Sequence, residues 1–135
     1  MDGILVPADD LSDFKVKLRL FMQQFFGYLV SNRELILIVS RDVSSKHALD
    51  AISSISEKIP QKIVAFFSDA KKKKIIKDDI DPVVLSDIIV QPYFLLTLFS
   101  DLQKNLHQKD VTDPSFRSRY IDQQLGLLLS GILVR

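Results

Sequence analysis

The chain has 135 residues, 47% of them apolar and 26% charged, which suits one core-forming domain and excludes a disordered segment. Lys and Arg number 18 against 17 Asp and Glu, and the net charge of +1 argues against a surface devoted to coating DNA or anionic lipid. Cysteine is absent, which excludes disulfides and thiolate metal sites and suits a cytoplasmic protein. The start "MDGILVPADD" is too acidic and too short in its apolar run for a signal peptide. The apolar stretch "LGLLLSGILV" falls well short of the roughly 20 residues of a membrane span.

Residues 1–10 read as a tail or linker, and 11–135 as one helical domain. Phe14, Leu18, Phe21, Phe25 and Tyr28 step by four or three, which predicts a helix over about Leu11–Val30, capped by Asp9, Asp10 or Ser12. Ser31 or Asn32 then caps a short second helix through about Asp42. "ELILIV" has the run length of a buried strand, but a lone strand among helices would leave its backbone groups unpaired.

A third helical stripe runs over about Lys46–Lys73 through Ile52, Ile55, Ile59, Ile63, Phe66 and Ala70. Pro60 either kinks this helix or opens a new one, and the unbroken phase of the stripe favours the kink. Lys71–Lys74 form its last turn, where cations meet the negative end of the helix dipole. Consecutive residues fan by about 100°, so four lysines encircle the helix end and do not make one basic face.

Asp81-Pro82 is a cap followed by a proline at the first helical position. It predicts a fourth helix through about Leu102, kinked at Pro92, followed by a polar frayed end over "QKNLHQKDVT". Asp113-Pro114 repeats the signal and opens a fifth helix to about Leu133. The expected fold is therefore an all-α bundle of about five helices without a sheet.

Chemistry is sparse. His47 and His107 stand in polar surroundings without a ligand partner at helical spacing, so neither a metal nor a cofactor is expected. No Gly-rich phosphate loop occurs, and Ser53, Ser54 and Ser56 lack a nucleophile signature, so no enzymatic activity is expected. Arg41 with Asp42, and Arg117 with Arg119, are solvated surface or polar anchors at the mouth of a cavity. The aromatics Phe21, Phe25, Tyr28, Phe66, Phe67 and Tyr93 form core, or line an apolar pocket between the first, third and fourth helices. The fifth helix carries more apolar surface than one stripe needs. With Leu95 and Phe99 of the fourth helix, its Ile121, Leu125, Gly126, Leu128, Leu129 and Ile132 predict a homodimer interface, with Gly126 and Ser130 allowing a close crossing.

The order of these pieces resembles the C-terminal regulatory domain of TetR-family transcriptional regulators. "FFGYLVSNRELILIVSRD" resembles that family's long helix, turn and short helix. "FFSDAKKKKIIKDDIDPVVLSDII" resembles its next helix end and Asp-Pro start, and "YIDQQLGLLLSGI" its last helix. The resemblance implies an all-helical domain that binds a small, often apolar ligand and dimerises through its last two long helices as a four-helix bundle. It implies a repressor-like regulator that touches DNA only through a helix-turn-helix domain, which this chain is not expected to carry. No membrane contact is expected. A helical adaptor that binds a protein partner is the alternative.

Overall fold

The computed structural model of the chain describes residues 4–41 and 58–134, and among these it is built from six α-helices. Helix α1 (Leu11–Ser31) begins where the Asp10 carboxylate accepts the Asp13 amide at 2.8 Å. Its buried side chains Phe14, Leu18, Phe21, Met22, Phe25, Phe26 and Leu29 recur at helical spacing and line one side. The helix closes at Asn32, whose side-chain amide donates to the Tyr28 carbonyl at 2.8 Å and whose backbone N–H reaches Tyr28 and Leu29. Asn32 thus finishes α1, and α2 (Arg33–Arg41) follows at once, so "ELILIV" is helical.

Helix α3 (Lys58–Lys72) buries Ile63, Phe66, Phe67 and Ala70. Pro60 lies in its first described turn, and the predicted stripe and kink upstream of Lys58 lie outside the described residues. The helix ends as a Schellman motif: Ile75 N–H reaches the Ala70 carbonyl at 2.9 Å and Lys74 N–H the Lys71 carbonyl at 3.0 Å. Lys74 takes the left-handed position, φ 60°, where glycine is usual. The lysine run is a helix stop. Lys73 pairs with Asp69 at 3.0 Å and donates to the Ala8 carbonyl at 2.7 Å, while Lys74 lies 3.8 Å from Asp78.

The chain then meets its own far end. Ile76 and Leu133 form an isolated antiparallel bridge, with Lys77 N–H on the Ile132 carbonyl at 2.8 Å and Val134 N–H on the Ile75 carbonyl at 3.2 Å. Ile76 is fully buried behind it.

Asp81 caps α4 (Pro82–Leu98), accepting from Val83 N–H at 2.8 Å, with Pro82 at the helix start. Helix α4 runs on past Pro92 and breaks at Phe99, turning by 78° into α5 (Ser100–His107). The predicted end near Leu102 and the frayed segment after it are therefore corrected: Gln103–His107 are helical. Polar contacts hold the turn. Thr97 bonds back to the Tyr93 carbonyl at 2.8 Å, a contact that bends helices, and Arg33 holds Asp101 at 2.7 Å. Asp113 caps α6 (Pro114–Ile132), accepting from Ser115 N–H at 2.9 Å.

Helix α1 packs against α2, α4 and α6, and α4 against α1, α2, α3 and α5. Their shared interior is an aromatic cluster. Phe14 stacks on Phe66 at 5.2 Å between centroids, Phe21 stacks on Phe25 at 5.5 Å, and Tyr93 meets Phe25, Phe26 and Tyr120. Edge and stacked pairs of this kind add about 0.5–1.5 kcal/mol each beyond their burial. Leu5 and Ala8, within the stretch 1–10 expected as a tail or linker, are buried in the same core. No single helix among the described residues is long and apolar enough to cross a membrane.

Candidate functional site

The residues expected to line a ligand pocket are core. Phe21, Phe25, Phe66, Phe67 and Tyr93 are each at most 3% exposed, and Tyr28 is half-buried. Their rings contact one another, so a guest entering between them has to part existing ring pairs. The Tyr93 hydroxyl donates to the Gln124 carbonyl oxygen, and the Gln124 amide lies 3.5 Å from the Ile89 carbonyl. Burial lifts the Tyr93 hydroxyl far above the ordinary tyrosine range, and the neighbouring Tyr120 adds to the rise, so Tyr93 is a neutral donor. This node joins α4 to α6 on either side of Pro92.

The expected interface residues divide. Ile121, Leu125 and Ile132 are 1%, 4% and 5% exposed, which places them in the chain's own core. They are corrected accordingly: α6 turns them inward beneath α1. Leu128 and Leu129 are half-buried on the flanks. Leu95, Phe99 and Gly126 do lie on the surface, as does Leu127, 76% exposed and the most exposed large apolar side chain among those described.

These exposed positions form a seam. On α4, Val84, Ile88 and Leu95 step along the outer face, and Phe99 extends the row at the bend. On α6, Gln123, Gly126, Leu127 and Ser130 share the outer side, and a Cβ built on Gly126 meets nothing within 4 Å. Between the two helices Pro92, Leu95, Leu96, Phe99 and Tyr120, with Gln103 of α5, border a groove of about 360 Å³. Charge is scarce here. Asp87 is the only charged residue in α4, and 123–134 contain none. The apolar row continues onto α5 through Leu102 and Leu106.

The polar contacts at the rim are structural. Arg19 of α1 holds Asp122 of α6, and Arg117 donates to the Val111 carbonyl at 2.8 Å, fixing the loop that precedes α6. Hydrogen bonds from the Thr112 side chain and backbone hold the Asp110 carboxyl below the ordinary range. Arg117 is thus spoken for, whereas Arg119 stands exposed beside a second groove. Among the described residues no group of three or more His, Asp or Glu side chains is arranged to hold a metal. His47 lies outside the described residues, and His107 is exposed at the end of α5.

A sequence signal for the seam existed. Apolar residues on several faces of one helix indicate two partners, one inside the chain and one outside. Which face is which is decided by packing. Compared with known proteins, the chain matches no family model, no curated protein and no solved structure.

Proposed function

We propose that this chain is the small-molecule-sensing and dimerisation domain of a TetR-like transcriptional regulator, acting with helix-turn-helix heads that lie outside this domain. The observation that carries the reading is the charge-poor apolar seam on the outer faces of α4 and α6, centred on Leu95, Phe99 and Leu127. Soluble chains rarely leave such a contiguous face open. A twofold pair satisfies both copies with one patch, and exposed Gly126 leaves room for a second helix to approach. Two long helices from each copy then make a four-helix interface.

A ligand that rearranges the aromatic interior would move α4 and α6 through their Tyr93–Gln124 link, and so alter the geometry of the pair. Sensing and dimerisation would share one helix pair. Sedimentation equilibrium of the unmodified chain tests the reading. A dimer at micromolar concentration, burying about 1,600 Å² in total, is expected. A monomer at that concentration overturns it and favours a helical adaptor whose open seam takes a protein partner.

A further inference from the structure

A second groove, of about 530 Å³, lies between the end of α5 and the outer side of α6. His107, Lys109, Arg119 and Gln123 line it, with Phe116 and Tyr120 as its apolar part. Phe116 is buried and Tyr120 half-buried, so both rings are held by the core. Gln108 takes a left-handed conformation, φ 53°, which closes α5 and turns the chain so that Lys109 N–H reaches back to the Gln103 carbonyl at 3.4 Å.

Two cationic side chains, Lys109 and Arg119, therefore meet beside His107 at one groove, and no Asp or Glu lines it. The acids close by in sequence are engaged elsewhere. Asp110 accepts both the hydroxyl of Thr112, at 2.6 Å, and its backbone N–H, at 2.9 Å, and faces Lys104 at 3.9 Å. Asp122 is held by Arg19. Among the described residues no ion pair neutralises His107, Lys109 or Arg119.

We propose that this groove binds a small organic anion with a flat apolar body, of the aryl carboxylate class. Arg119 supplies the planar fork that matches a carboxylate through two parallel hydrogen bonds, and Lys109 adds a second, more adaptable positive charge. The Gln123 amide is a neutral donor on the same side. The ring of the guest lies against Tyr120 and Phe116, where offset or edge contacts are available. The volume falls within the range of small-molecule clefts. This pairing of charge and ring demands both halves of the ligand: an inorganic anion lacks the body, and a neutral isostere lacks the charge. The proposal rests on one chain's own residues, and the groove borders the seam, with which it shares Gln123 and Tyr120.

The test is a titration of the isotope-labelled chain with benzoate, benzamide and inorganic phosphate, read by amide chemical shifts. Benzoate is expected to shift the amides of 107–109 and 116–123 saturably, while benzamide and phosphate at equal concentration do not. Arg119→Gln should weaken benzoate binding by about tenfold with the rest of the spectrum unchanged, as loss of one charged hydrogen-bonding group does. Lys72→Gln, at an exposed lysine of α3, should leave it unaltered. Absence of saturable benzoate shifts in the groove overturns the proposal. So does an equal response to phosphate, which marks a plain cationic surface, or to benzamide, which marks an apolar contact alone. Equal weakening by the two substitutions also overturns it.

Discussion

Helices α1 and α4 are both long and rich in apolar residues, but they distribute them differently. On α1 the buried positions Phe14, Leu18, Phe21 and Phe25 stand opposite Lys15, Arg19 and Gln23, with Val16 and Leu20 as exposed apolar exceptions, so most of the burial belongs to one side. On α4 the buried Leu85, Ile89 and Tyr93 stand opposite Val84, Ile88 and Leu95, which are exposed and equally apolar. The first pattern is that of a helix whose partners are mainly within its own chain. The second is that of a helix with something still to cover it. Hydrophobic character alone does not separate the two; the residues on the far side do.

The comparison is broken most directly in the core. Phe14→Ala on α1 removes a ring stacked on Phe66, and should cost about 3–5 kcal/mol in denaturant unfolding. Leu95→Ala on the outer face of α4 should change the stability of a single chain by under about 0.5 kcal/mol. Next comes Leu127→Glu, which places a charge in the seam of α6. It should leave the helical circular dichroism intact and weaken self-association by more than about tenfold in sedimentation, as a buried charge costs a pair several kcal/mol. Asp81→Ala should cost about 1 kcal/mol by freeing the first amides of α4. The last effect is a gain. Lys74→Gly, in the connection leading to α4, relieves the left-handed strain and should raise stability by about 0.5–1 kcal/mol, since the ion pair it gives up with Asp78 is exposed.

Much of the fold was legible because its signals are local. Asp81-Pro82 and Asp113-Pro114 start helices wherever they occur next to an apolar run, and both do so here. The end of α3 in the lysine run was legible for the same reason. The break at Phe99 was not, because neither proline nor glycine marks it; beside it Thr97 bonds back to the Tyr93 carbonyl, and just beyond it Asp101 meets Arg33, 68 residues away. Pro92, where a kink was expected, lies inside α4, and the helix continues through it as expected.

The seam was half legible. An excess of apolar residues in α6 could be read from "LGLLLSGILV", but a run with so few polar residues gives no phase. The inward Leu125 and the outward Leu127 are told apart only by where α1 lies. Of the anion groove only Arg119 was legible, as surface or as a polar anchor at the mouth of a cavity. Its residues come from the end of one helix and the outer side of another, and the chain reversal at Gln108 that brings them together carries no glycine or proline.

The bridge between Ile76 and Leu133 has a consequence for how the molecule opens. The last turn of α6 and the α3–α4 connection share two backbone hydrogen bonds and cover one buried isoleucine. Neither segment can come loose while the other stays shut. Native-state hydrogen exchange should therefore find the amides of Lys77 and Val134 exchanging at one common opening free energy, as a single cooperative unit. A helix end that would ordinarily fray is clasped, and local melting there becomes an event in two distant stretches of sequence at once.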